Sequence, residues 1–223
     1  MFNLAFDTTA AGCSIALLKD EKKLAAFHQA MDFGQAEILL PQIQNLLRQS
    51  ELAFSDLDLI TVCVGPGSFT GVRASIAAAR AFGVADPSVT VTGVNAFDAY
   101  ARTLAWYPEE IAALNAVIIE TKRDDFYFQI FDRQLHKITE PAAAAYEDIL
   151  PLLKDKKVTL IGDGVERFLS TPSNLSLHAI RCQNGIDIVD LALCGITAYR
   201  AKKTDFPKPL YLRAPDVCLK KSA

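Results

Sequence analysis

Nine consecutive residues, Gly65-Pro66-Gly67-Ser68-Phe69-Thr70-Gly71-Val72-Arg73, place three glycines, a proline and two hydroxyls between the apolar run 59–64 and a helix-like run from Val72. A turn of this composition at a helix start aims several backbone N–H groups one way and adds the positive end of the helix dipole. That combination suits an anion or a closely packed backbone partner. The familiar catalytic turns do not fit it. A Walker A loop carries Lys and then Ser or Thr after its second glycine, whereas Gly71 is followed by Val72 and Arg73. A nucleophile elbow needs Gly-x-Ser-x-Gly, but Pro66 and Thr70 stand at the glycine positions around Ser68. A dinucleotide fingerprint would have its third glycine at Thr70 and a ribose-binding carboxylate at the end of the next strand, and neither is present.

The other groups able to do chemistry are scattered. His28, His136 and His178 lie far apart, with Asp32, Glu140 and Cys182 four residues on, so there is no helical His-x-x-x-His metal pair. Glu120, Asp124 and Asp125 form an acidic cluster that reads as a carboxylate pair or, the stronger expectation, as a solvated hairpin end. The five cysteines (Cys13, Cys63, Cys182, Cys194, Cys218) contain no C-x-x-C, and four neighbour apolar residues, which predicts buried free thiols.

The elements that must position these residues repeat. Residues 3–7, 13–19 and 23–28 are short β-like runs joined by hairpin-length turns. A helix over 35–49 follows, with Leu39, Leu40, Ile43, Leu46 and Leu47 at helical spacing, then a strand 58–64, a helix 70–85, a strand 89–94 and a helix 96–105. This βββ-α-β-α-β-α order is that of a ribonuclease-H-like lobe. After Trp106-Tyr107-Pro108 it starts again, with strands 116–120, 126–131 and 135–138, a helix 146–153, a strand 158–161, a helix near 165–169, a strand 177–180 and a helix 188–202. Residues 141–145 and 171–174 read as loops. The expectation is an α/β protein of actin-like ATPase (ASKHA) architecture, with two ribonuclease-H-like lobes and the second one trimmed. The lobes are placed at 1–105 and 106–186, with a last helix and tail over 187–223 packing back on the first lobe.

In such an architecture Asp7-Thr8-Thr9, at the first hairpin, stands where a phosphate- and metal-facing carboxylate belongs. It reads equally as a turn that satisfies its own backbone. The adenosine loop of a working ATP site has only Gly162-Asp163-Gly164 as a candidate. In the helix after the glycine turn, Ala74, Ala77, Ala78, Ala81 and Ala85 form a ridge of small side chains at spacings of three and four, beside Val72, Ile76 and Phe82, which can pack on the sheet. A ridge sealed within the lobe is one reading. Exposed, it is a surface that another helix can approach closely.

The chain has 223 residues, 51% of them hydrophobic, and a formal charge of −3. That bounds it to a globular protein able to bury a large core, without the basic footprint of an autonomous nucleic-acid binder. No apolar run reaches the roughly 20 residues of a membrane span, and Met1-Phe2-Asn3-Leu4 offers no signal-peptide pattern, so the cytoplasm is the expected location. The tail from Lys202 to Ala223 is the basic exception (Lys202, Lys203, Lys208, Arg213, Lys220 and Lys221 against Asp205 and Asp216) and reads as a solvated terminal segment.

The stretch from Gly65 to Arg73 resembles the signature of the bacterial TsaB (YeaZ) family, whose members take part in making threonylcarbamoyladenosine on tRNA. The resemblance extends along the chain through Asp7-Thr8-Thr9, Cys13-Ser14-Ile15-Ala16-Leu17, Ala36-Glu37-Ile38-Leu39-Leu40-Pro41, Gly93-Val94-Asn95 and the terminal Pro209-Leu210-Tyr211-Leu212-Arg213. It departs where Gln35 replaces a common histidine and where Ile119-Glu120-Thr121-Lys122-Arg123 replaces a more usual Asp-Ala-Arg run.

The resemblance implies a scaffold without catalysis of its own, needed for threonylcarbamoyladenosine at adenosine 37 of tRNAs that read codons beginning with A. It would pair with a TsaD-type catalytic subunit, joined by a TsaE-type small ATPase, and meet tRNA only through that complex. By position, the helices 35–49 and 70–85 would enter a four-helix bundle with the catalytic subunit. The expected contact set is Leu39, Ile43, Leu46, Ala74, Ala77, Ala78 and Ala81. The glycine-turn set is Asp7, Thr8, Thr9, Gly65, Gly67, Ser68, Thr70, Gly71 and Arg73, beside which weakly held ATP or ADP has a place at the interface; no cofactor or metal is required. Two alternatives stay open: a homodimer through the same helices, and an actin-like ATPase or sugar or small-molecule kinase using Asp7 and the glycine turn.

Overall fold

The computed structural model describes residues 1–154, 156–171, 177–181 and 185–213, the stretch 177–181 by its backbone alone. Cys182, Cys218, the loop 172–174, the side chain of His178 and the tail beyond Arg213 lie outside the described residues.

Alternation along the strands builds the first sheet. In β1 (Phe2–Asp7), β2 (Gly12–Lys19) and β4 (Leu59–Cys63) nearly every residue is buried, so both faces of the sheet must be covered. Leu4, Phe6, Ile15, Leu17, Ile60 and Val62 face α1 (Gln35–Gln49) and α2 (Phe69–Ala85), whose Leu39, Ile43, Leu46, Leu47 and Ala79 complete that core. The intervening Ala5, Ala16, Leu18, Leu59 and Cys63 point the other way. With the edge strands β3 (Lys22–Ala30) and β5 (Thr90–Val94) the order is β3-β2-β1-β4-β5, antiparallel from β1 to β3 and parallel from β1 to β5.

The second sheet repeats this order from the opposite edge. Its strands are β6 (Leu114–Glu120), β7 (Asp125–Phe131), β8 (Ala142–Ala145), β9 (Val158–Gly162) and β10 (Leu177–Arg181), arranged β10-β9-β6-β7-β8. Two ribonuclease-H-like sheets in this order make the actin-like ATPase architecture. The second copy is trimmed in its helices: α4 (Tyr146–Leu153) and α5 (Val165–Ser170) have 8 and 6 residues, against 15 and 17 for α1 and α2.

The last helix of each half crosses to the other sheet. α3 (Ala96–Leu104) packs on β6, β7 and β9, while α6 (Ile188–Arg200) packs on β1, β2, β4 and β5, and the two helices touch. Phe97, Tyr100 and Leu104 thereby share one core with Leu191, Ala192 and Ile196 and with residues of both sheets. Among the described residues no helix is long and apolar enough to cross a membrane.

One strand differs from expectation. The third strand of the second sheet is Ala142–Ala145, not 135–138. The Asp132 carboxylate accepts hydrogen bonds from the N–H groups of Gln134 and His136, and Leu135 adopts a positive φ of 61°, so that segment is a tight turn with a single bridge, Phe131 to Lys137.

Candidate functional site

The glycine turn has a backbone partner. Ser68 caps α2, its Oγ accepting from the Gly71 N–H at 3.3 Å, and its own N–H donates to the Thr9 carbonyl at 2.8 Å. Thr8 Oγ1 donates to the Gly71 carbonyl at 2.7 Å and lies 2.7 Å from Ser75 Oγ, which also accepts from the Thr8 N–H at 3.1 Å. A side chain at Gly71 would run into the Thr8 carbonyl oxygen, and a Cβ on Gly67 would come within 2.5 Å of that of Thr9. Two of the three glycines therefore let the start of α2 lie directly on the β1–β2 turn. Of the two partners foreseen for the turn, the closely packed backbone is present.

Asp7 is sealed beneath it, 3% exposed, with Oδ1 accepting from the Thr9 N–H at 2.8 Å. Burial pushes its carboxyl up, partly offset by hydrogen bonds from Thr9 and Cys63. Cys63, also fully buried, is held well above the usual thiol range by burial and by the Asp7 charge. One oxygen of this carboxylate, Oδ1, is thus engaged by its own hairpin.

Above the turn lies a cleft of about 750 Å³ between the sheets, with Ser68, Phe69, Lys122, Tyr127 and Asp163 in its walls. Leu210, Tyr211, Leu212 and Arg213 also line it. The strand-like stretch after α6 is tied down by hydrogen bonds from Gly93 N–H to the Asp205 carbonyl, from Arg80 Nε and Nη2 to the Pro207 carbonyl, and from Leu210 N–H to the Val64 carbonyl. It ends with Tyr211 stacked on Phe69 at 5.5 Å, Phe69 carrying Arg73 on its ring at 5.2 Å, and Arg213 paired with Asp125 beside the Tyr127 ring. The described part of the tail is therefore tied down by its backbone and by Tyr211 and Arg213, a correction to the sequence reading, although Lys202, Lys203 and Lys208 stay exposed as expected. No pattern in the sequence marks Tyr211 and Arg213 as cleft residues.

The acidic cluster is corrected in part: Asp124 is exposed, as a solvated hairpin end would be, but Glu120 and Asp125 are not. Glu120 accepts from Arg167 Nε at 2.7 Å and Nη2 at 2.8 Å, and Asp125 takes Arg213. Neither is a solvated hairpin end, since arginines from two other segments neutralise both. Burial pushes the Glu120 carboxyl up, but the hydrogen bonds and charge of Arg167 outweigh it and hold it below the usual range. Among the described residues no cation is paired with Asp163. Burial and the nearby Glu120 and Asp7 charges raise its carboxyl to about 6, although its Oδ1 accepts from the Glu120 N–H at 3.0 Å.

A carboxyl raised on folding binds its proton more tightly in the native state, so its ionisation lowers stability as pH climbs from about 4 to about 6. Asp163→Asn, which keeps the acceptor, is expected to raise stability at pH 7 to 8 by about 1–3 kcal/mol. Urea titrations at several pH values should show the gain vanish below the ordinary carboxylate range; a gain independent of pH would contradict this account.

The predicted helix contact set splits. Leu39, Ile43 and Leu46 are 2%, 1% and 4% exposed and hold α1 to the sheet, so they are not available to a partner. The sequence pattern locates an apolar stripe but not what lies opposite it. Ala74 and Ala78 are half-buried, and Ala78 packs against the core under α2. Thr70, Arg73, Ala77, Ala81 and Val84 form one exposed stripe along α2 at spacings of three and four, and Leu40 is exposed on the neighbouring α1.

Comparisons with known proteins agree with this architecture. The TsaB protein of Haemophilus influenzae, named for tRNA threonylcarbamoyladenosine biosynthesis, is 28% identical over 224 residues, covering 94% of this chain and 92% of its own. YeaZ from Pseudomonas aeruginosa superposes with a TM-score of 0.79 at 24% identity, over 95% of this chain and 99% of that one. An activator of 2-hydroxyisocaproyl-CoA dehydratase from Clostridium difficile, solved with ADPNP, shares the fold at a TM-score of 0.53 and 10% identity, over 91% and 97% of the two chains. The sequence model of TsaD, tRNA N6-adenosine threonylcarbamoyltransferase, matches residues 34–217. With most of its length on that model, the chain belongs to the TsaD family, and the TsaB (YeaZ) proteins are the relatives it resembles from end to end.

Proposed function

We propose that this protein serves tRNA threonylcarbamoyladenosine formation as a subunit that supplies surface, not reactive groups, to a TsaD-type transferase, with a TsaE-type ATPase joining them. The observation that carries the reading is the exposed small-residue stripe of α2, open beside a glycine turn that its own hairpin already fills. A helix bearing Ala77 and Ala81 outward lets a partner helix approach closely, which favours a helix-on-helix interface. The kinase or ATPase alternative asks Asp7 to meet a metal-bound phosphate, and the hydrogen bond from Thr9 with 3% exposure speaks against it. A nucleotide at the cleft mouth would be held by the interface rather than by this chain's turn. Reconstituted tRNA modification with and without this chain is the test. Product is expected only when it is present, and full product in its absence would overturn the proposal, as would ATP turnover by the chain alone.

A further inference from the structure

The overall charge of −3 hides a local surplus at one end of the molecule. Lys19, Lys22 and Lys23 stand around the β2–β3 turn, with Lys19 opposite Lys22 and Lys23 opposite Leu18 in the ladder. The end of α6 adjoins this turn, because Arg200 pairs with Glu21. Lys202 and Lys203 follow at once, held close by the Lys203 N–H donating to the Ala198 carbonyl at 2.9 Å. All six basic side chains are exposed.

The acidic groups among them are already engaged. Asp20 lies 3.2 Å from the N-terminal amine, Asp58 lies 4.0 Å from the same amine and accepts the Phe2 N–H, and Glu21 holds Arg200. The next carboxylate along the chain, Asp205, follows Lys203 by two residues. Lysines on an edge strand guard it against pairing with another chain, which accounts for Lys22 and Lys23 but not for Lys202 and Lys203 on another element. Register puts Lys19 and Lys22 on the α1/α2 face, where Lys19 lies over the Phe2 ring, and Lys23 with Leu18 on the α6 face, so the group wraps around this end of the first sheet. It sits about one strand length, roughly 20 Å, from the glycine turn.

We propose that this basic end binds the phosphate backbone of tRNA. The inference rests on the tRNA-modification reading for the identity of the polyanion. Cations spaced over two elements match a duplex phosphate ridge and carry no sequence information, so they position a tRNA rather than select it. The site adds to whatever grip the catalytic subunit has.

The test uses the full chain without a partner, by fluorescence anisotropy of a labelled tRNA transcript across a series of salt concentrations. Wild type is expected to bind weakly and to weaken steeply with salt. A variant with Lys22→Glu, Lys23→Glu, Lys202→Glu and Lys203→Glu should lose at least about tenfold near 50 mM salt, and its salt slope should fall by about three. Lys156→Glu with Lys157→Glu, on the second lobe, should bind as wild type does. Circular dichroism should find both variants folded, since every substituted lysine is exposed. Equal affinity and equal slope for wild type and the four-site variant would overturn the proposal. So would an equal loss in the second-lobe control, or binding to anionic phosphatidylglycerol vesicles with none to tRNA. Because no partner enters this measurement, its failure is separate from failure of the transferase reading, which co-purification and reconstitution decide.

Discussion

A chain carrying Ala77→Glu and Ala81→Glu is expected to fold like wild type and to lose its transferase subunit on co-purification. Both alanines are exposed on the α2 stripe, so neither change disturbs the core of the free chain. In a tight helix-on-helix interface the same two carboxylates would be buried against a partner backbone, with Arg73, four residues before position 77, beside only one of them. A loss of more than about 3 kcal/mol, or over a hundredfold in Kd, is expected from a central interface pair of this kind. Leu39→Ala would be a poor choice, because it would empty a core position at about 2–5 kcal/mol and report on folding alone. Ala78 is also compromised by its contact with the core. Size-exclusion chromatography of the double variant addresses the homodimer as well: an isologous dimer through the stripe would become a monomer. A folded double variant that still co-purifies in full would remove α2 from the interface.

Short apolar runs and helical spacing made the strand and helix order legible through β5, and less cleanly from β6. What escaped was decided by tertiary partners. Ala142–Ala145 has little intrinsic strand preference and becomes β8 because β7 offers it a ladder, Phe126 opposite Ala144 and Phe128 opposite Ala142. Residues 135–138 looked more strand-like, but the Asp132 carboxylate captured two of the local N–H groups. Leu39, Ile43 and Leu46 were correctly seen as one face, yet spacing cannot distinguish the face that meets its own sheet from one that meets another chain. The cleft residues Tyr211 and Arg213, and Arg167 behind Glu120, were the least visible: they acquire their roles through rings and carboxylates from other segments of the chain.

Gly71→Ala is expected to be the most damaging single methyl group that can be added to this chain. In an unconstrained helix the change would stabilise by up to about 1 kcal/mol, since alanine is the better helix former. Here the new Cβ meets the Thr8 carbonyl, which is not free to move. Asp7, just before it, is in register with Ser14, and Thr8 is bonded twice to α2, through its N–H to Ser75 and through its hydroxyl to Gly71. To relieve the overlap, the first turn of α2 must withdraw from the hairpin, loosening these bonds and the Ser68-to-Thr9 bond together. At about 1 kcal/mol for each bond and 1–3 for the strain, the expected loss is about 3–6 kcal/mol, much of the stability of a typical domain. Gly83→Ala is the informative control: its Cβ would come 2.8 Å from a Val91 methyl, a side chain able to turn aside, so a loss of about 1 kcal/mol or less is expected. Urea unfolding of both variants separates two roles for the turn. If the glycines cradle an anion, Gly71→Ala would leave the free chain as stable as wild type and weaken only that ligand. If they exist so that α2 can lie on the hairpin, the free chain itself must suffer, and with it the angle at which Ala77 and Ala81 face a partner.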